Sequence, residues 1–257
     1  MFSDYKSWML VALTKFRNRH NNLFIGPIAD SIGIFVICFF ITFLWSKFWN
    51  VEFFYFYFYF FSGYTLWRVI TTAINESMGI FIGEFKNISE NTLIDNHLFF
   101  LTVVARNFFP LFYQFPIILT LSIYYEGLSY NIFLYPVFLI MLFLFLYPSS
   151  ILLSLINLRF RDIGYFFQIF ISLLFFFTPI LWSSDRFAEI KNTTYGSLLI
   201  YGNPIYYFID MYRSVFGLKE FDFLIIVLCF TLIIFLIFSS FLILSITRKK
   251  IFIWLRM

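Results

Sequence analysis

Charge is what this sequence has least of. Asp, Glu, Lys and Arg make up 12% of its 257 residues, against 61% hydrophobic. A soluble globular domain carries about 25% charged residues, and half that amount cannot cover its surface. The soluble class is excluded. Cysteine is nearly absent: Cys38 and Cys229 each sit inside an apolar run, with no CxxC and no partnering histidine. Two buried free thiols are expected, behaving as small hydrophobes. The ten glycines never take the spacing GxxxxGK followed by Ser or Thr, which excludes ATP binding by a P-loop in this chain. Only two histidines occur, His20 and His97, without HExxH or metal-ligand spacing. No pair of carboxylates lies mid-run, as a proton-coupled carrier or an acid–base site would need. The net charge of +4 comes from basic residues dispersed between uncharged runs, unlike the basic stripe of a nucleic-acid binder.

What is there is length of apolar sequence. Six runs reach the ~20 residues needed to cross a ~30 Å hydrocarbon core, at about 28–48, 53–74, 98–125, 131–157, 163–182 and 223–246. The run Phe54–Phe61 alternates Phe and Tyr as a strand could, but no turn signals divide it. A bilayer admits only helices or closed barrels, so an all-α polytopic membrane protein with six transmembrane helices is expected, as one transmembrane domain over residues 1–257. Aromatics reach 26%, yet Phe and Tyr have A/T-rich codons, so only their placement carries weight.

Six spans put both termini on one side. Eleven Lys and Arg fall on the segments that side would hold, among them Lys15, Arg19, Lys86, Arg159, Arg161 and Lys249, and five on the other, Lys47, Arg186, Lys191, Arg213 and Lys219. Basic residues gather on short cytoplasmic loops, which places both termini in the cytoplasm. Arg68 and Arg106 fall within spans; Arg68 faces a partner helix or an aqueous path, or pairs with Glu76.

Three stretches are not simple spans. Within residues 1–27, Tyr5, Trp8, Met9, Ala12 and Phe16 share a helix face with Lys and Arg elsewhere, the pattern of a helix lying in the membrane interface. Residues 84–97 form a polar inner segment with Asn87 or Ser89 as candidate caps and Glu90 in a first turn; it reads as a docking helix or a plain loop. Residues 185–222 lie outside: an apolar stretch at 197–201, a break at Gly202-Asn203-Pro204, then an amphipathic helix with Ile205, Phe208, Ile209, Tyr212 and Phe216 on one face and Asp210 and Arg213 off it. Pro at the first helical position and Gly217 after the last fit a short helix. The apolar arm is too short to span, so the segment reads as a re-entrant gate, with Asp210 and Arg213 close enough to pair.

Two stretches resemble a known family. Asn157-Leu158-Arg159-Phe160-Arg161-Asp162-Ile163, followed by Gln168 and Phe177-Thr178-Pro179-Ile180-Leu181-Trp182, is similar to the permease subunits of type-2 ABC exporters of bacterial polysaccharides. So is Asn203-Pro204-Ile205-Tyr206-Tyr207-Phe208-Ile209-Asp210-Met211-Tyr212-Arg213 with Gly217. A third stretch, Asn91-Thr92-Leu93-Ile94 with Val104-Ala105-Arg106-Asn107 and Gln114, resembles the O-antigen branch.

The resemblance implies a homodimer in the bacterial inner membrane, docked to two copies of an ABC nucleotide-binding subunit that hold ATP and Mg. The chain itself would carry no cofactor and no catalysis. It would export a polysaccharide linked to undecaprenyl diphosphate. Glu84, Lys86, Asn87, Glu90 and Asp95 would lie on the ATPase coupling helix, and Asn203, Pro204, Tyr206, Tyr207, Asp210, Tyr212 and Arg213 on the periplasmic gate. Arg159, Arg161 and Asp162 either shape the cytoplasmic entrance or anchor the chain by the positive-inside rule. Tyr55 and Tyr59, four apart on one helix, are candidate channel rings, though a lipid- or core-facing ring is as good a reading for each. The same machine exporting capsule or another cell-wall glycan is the near alternative. A membrane-embedded polymerase would want catalytic carboxylates, and a secondary transporter internal repeats.

Overall fold

The computed structural model describes residues 28–82, 96–125, 127, 129–183 and 193–247, with Leu10, Thr14 and Trp254. The expected interface helix lies outside the described residues except for Leu10 and Thr14, both helical, and so does the 84–97 segment before Asn96. Among the described residues the chain is all-α, with eight helices: α1 (Ile28–Trp49), α2 (Phe53–Met78), α3 (Asn96–Tyr125), α4 (Tyr135–Arg159, entered through a 3-10 turn at Tyr130–Leu134), α5 (Asp162–Phe177), α6 (Thr194–Tyr201), α7 (Pro204–Val215) and α8 (Phe223–Thr247).

Polar contacts fix the up-and-down order. Tyr125 Oη donates to Glu52 Oε1 at 3.1 Å, joining the end of α3 to the start of α2. At the other end Glu76 accepts from Arg106 and Asn107, each at 2.7 Å, and Asn157 Nδ2 donates to Met78 O at 2.8 Å. The bundle thus has a basic end, with Arg159 and Arg161, and a far end, with Glu52 and Tyr125. Glu76 pairs with Arg106, not Arg68, and Arg68 is exposed on α2.

Four of the six expected spans are long and apolar enough to cross a membrane by themselves: Ser31–Trp49, Phe99–Tyr125, Tyr130–Arg159 and Phe223–Thr247. The last is the most apolar, with a mean hydropathy of 3.0, and also the least buried of the four. Phe235, Phe238 and Phe241 stand largely exposed along it. Water would reject such a face and lipid would not.

The two remaining runs differ from the expectation for physical reasons. α2 is long, but Tyr, Ser and Thr, with Arg68, Asn75 and Glu76, lower its hydropathy. It is the central helix, buried along nearly all its length and packed on α1, α3, α4 and α7. Shielded by its neighbours, it need not be apolar enough to face lipid. Its buried Ser and Thr hydroxyls return to its own backbone, as Ser62 to Tyr59 O at 2.9 Å and Thr71 to Trp67 O at 2.8 Å. α5 stops at Phe177, so its 16 residues reach only about 24 Å at 1.5 Å per residue.

The main core surrounds α2, and a smaller cluster of Ile80, Phe81, Phe100, Val103 and Leu155 closes the basic end. Cys38 and Cys229 are buried free thiols, as expected. Gly79 ends α2.

Candidate functional site: a buried arginine on the α7 helix

The break expected at 202–204 is present, and its local chemistry explains it. Asn203 caps α7, its Oδ1 accepting from Ile205 N–H at 3.0 Å, with Pro204 in the first helical position. At the other end Leu218 N–H reaches back to Arg213 O at 3.0 Å and Gly217 N–H to Ser214 O at 3.3 Å. That closure needs the left-handed backbone that Gly217 supplies at φ 82°.

Two expectations about this helix are corrected. First, α7 is not half-buried: Asp210 and Arg213 are as enclosed as Ile205, Phe208, Ile209 and Tyr212. Elements on several sides surround it, including α2, α4 and α8, so its polar side chains find protein rather than water. Second, Asp210 and Arg213 do not pair. Asp210 forms an ion pair with Lys219 in the loop before α8. Arg213, fully buried, turns the other way.

Its guanidinium meets the unwound end of α5 and the middle of α2. Nη1 donates to Pro179 O at 2.6 Å and to Tyr59 Oη at 2.9 Å, and Nη2 donates to Tyr59 O at 3.1 Å and Ile180 O at 3.3 Å. The Tyr59 ring lies 3.6 Å from the guanidinium carbon, within cation–π range. Burying a charge is costly unless it is hydrogen-bonded. Here carbonyl dipoles and the Tyr59 hydroxyl satisfy Nη1 and Nη2, while the buried Nε makes no hydrogen bond among the described residues. Carbonyls just past a helix C-terminus lie in the negative field of that helix. Close approach is possible because residue 63 is glycine: a Cβ there would stand 2.7 Å from Arg213 Nη2.

Asn203 adds a second tie to the same place, its Nδ2 donating to Thr178 Oγ1 at 2.6 Å. The other residues expected on the gate take distinct positions. Tyr212 is buried against Phe138 at 5.0 Å between centroids; Tyr206 is buried edge-on to Tyr207; Tyr207 Oη donates to Tyr201 O at 2.6 Å. Tyr59 is buried, and its hydroxyl donates to Trp182 O at 3.1 Å. Tyr55, one turn away, is exposed beside Tyr125.

At the basic end Arg159, Arg161 and Asp162 are exposed. Arg159 stacks over Phe160 and Trp254, 5.4 and 5.7 Å from their ring centres. The structure brings none of these three to α7. Glu84, Lys86, Asn87, Glu90 and Asp95 lie outside the described residues. Among the described residues no group of three or more His, Cys, Asp or Glu could hold a metal ion.

Sequence reasoning missed Asn157. Buried at the end of α4, it gives Nδ2 to Met78 O at 2.8 Å and takes Gly164 N–H on Oδ1 at 3.0 Å. One amide thus satisfies a terminal carbonyl of α2 and a first-turn N–H of α5. A buried Asn just before a helix break was the available signal.

Compared with known proteins, the chain matches no family model and no curated protein sequence. The fold defines the class: among the described residues, an all-helical protein with four helices long and apolar enough to cross a membrane.

Proposed function

We propose that this protein is the permease subunit of an ATP-driven ABC exporter that moves undecaprenyl-diphosphate-linked O-antigen polysaccharide across the bacterial inner membrane. In this reading six helices span, α2 and α5 included, and both termini are cytoplasmic. The chain forms a homodimer, and two separate nucleotide-binding subunits supply ATP hydrolysis. The 84–97 segment docks those subunits. α6 and α7 are the periplasmic gate, and polymer passes when they move.

The observation that carries the reading is where the two resembling stretches fall. The Asn157–Ile163 stretch makes its joint at the first end of α5, and the Asn203–Arg213 stretch grips the other end of the same helix through Thr178, Pro179 and Ile180. A helix–break–helix held to the end of α5 by two side chains, Arg213 and Asn203, can serve as a movable closure. Flat Tyr rings in it suit sugars, whose C–H faces stack without one deep binding well, as a moving polymer requires.

Replacing both Glu90 and Asp95 with Lys tests it. The doubly substituted chain is expected to insert normally, yet to lose most co-purification with the proposed nucleotide-binding subunit and most surface polysaccharide in cells. Unchanged assembly and export would refute the docking assignment. Accumulation of capsule rather than O-antigen in a deletion strain would move the substrate to the alternative glycan.

A further inference from the structure

α5 is held at its ends more than along its length. Only Gly164 and Ile171 are buried in its 16 residues. Beside it lies an apolar cleft of about 700 Å³, between Phe170 and Leu174 of α5, Leu153 and Ile156 of α4, and Leu232 and Leu236 of α8. Close packing normally locks helices together; here one flank of α5 has room to shift. Both ends, by contrast, are pinned by buried polar side chains. At the basic end, Asn157 ties Gly164 N–H to Met78 O, with no space for a Cβ at residue 164, which would stand 2.7 Å from Asn157 Oδ1. At the far end, Arg213 holds Pro179 O and Ile180 O, and Asn203 holds Thr178.

From this we infer that Asn157 is a positioning residue for the gate helix: through α5 it sets where the carbonyls that hold Arg213 stand. A short helix is stiff along its axis, so a displacement at Met78 and Gly164 is delivered about 24 Å away to Pro179 and Ile180. Met78 is the last residue of α2, six positions before the start of the segment assigned above to ATPase docking. The inference rests on that reading only for its purpose. The mechanical linkage stands on the joints themselves.

The test is accessibility at the gate after a change at the opposite end. In a Cys38→Ala, Cys229→Ala background, Met211→Cys reports opening of α7, where Met211 is buried, and Ile118→Cys on α3 serves as an equally buried control. The full chain is reconstituted in vesicles and labelled with a small thiol reagent. Asn157→Ala should speed labelling of Met211→Cys by about tenfold, the scale of losing buried amide hydrogen bonds, and leave Ile118→Cys unchanged. Gly164→Ala should do the same, without adding to Asn157→Ala, since both act on one contact. In an Arg213→Lys background Asn157→Ala should have no further effect.

Unchanged Met211→Cys labelling, a parallel rise at Ile118→Cys, or full additivity with Arg213→Lys would each overturn the linkage. Should Asn157→Ala fail to fold, Gly164→Ala carries the test alone. Solute flux through the same vesicles separates this from the gate reading. Faster labelling without leak keeps the linkage and removes the gate. Leak in Arg213→Ala with no labelling response to Asn157→Ala or Gly164→Ala does the reverse.

Discussion

A guanidinium with four hydrogen bonds, two of them to carbonyls past a helix end, depends on a planar fork that lysine lacks. Gly63 is therefore as important to Arg213 as any of its acceptors, because a methyl at residue 63 would occupy the space of Nη2. Gly63→Ala should cost about 1–3 kcal/mol by overpacking, seen as a lowered melting temperature in detergent. It should also reproduce the solute leak expected of Arg213→Ala, measured as flux into vesicles without ATP. A Gly63→Ala protein as stable and as tight as wild type would show that the Arg213 contact does not hold the gate. Loss of an Asp210–Arg213 pair plays no part in that leak, since Asp210 is bound to Lys219.

Among the helices, α5 is the one whose relation to the membrane most needs a test. At about 24 Å it is shorter than a ~30 Å core, and its chain unwinds at Thr178-Pro179 inside the bundle, where Asn203 and Arg213 satisfy the backbone and hydroxyl groups. Such unwinding is tolerated at membrane depth where protein supplies partners. If α5 spans, Asp162→Cys and Ser183→Cys in the cysteine-free background should react with an impermeant reagent from opposite sides of sealed vesicles. Reaction of both from one side would make α5 re-entrant and reduce the span count. The start of the helix was legible in the sequence because the Arg-Phe-Arg-Asp turn acts locally. Its shortness relative to the 163–182 run was not, because Phe177 through Trp182 is apolar whether helical or not.

At the scale of the whole molecule, the distribution of apolar surface identifies the solvent. On α8, Ile234 is largely exposed and Ile233 one residue away is buried. In a protein surrounded by water Ile234→Arg would be neutral. Here it should oppose insertion by about 2.5–3.5 kcal/mol at mid-helix, read as reduced membrane-integrated yield, whereas Ile233→Ala should insert normally and melt at lower temperature. Normal membrane yield of Ile234→Arg would mean that this face is covered by protein or water instead of lipid.

By itself the sequence determined the helical class, the approximate places of the long helices, the buried thiols and the break at 202–204 with its Pro204 start and Gly217 stop. Each follows from hydropathy over a single run or from backbone preferences of adjacent residues. Tertiary structure alone decided the partners of Arg213, Asp210, Glu76 and Asn157. The sequence offered Asp210 to Arg213 and Glu76 to Arg68 by proximity along one helix, but neither pair formed. Arg213 instead takes backbone oxygens 33, 34 and 154 residues distant, and Asn157 takes Met78 O from 79 residues away. A backbone carbonyl is the same group at every position, so nothing in residue identity marks which one will be left unpaired at a helix end and brought beside a buried side chain.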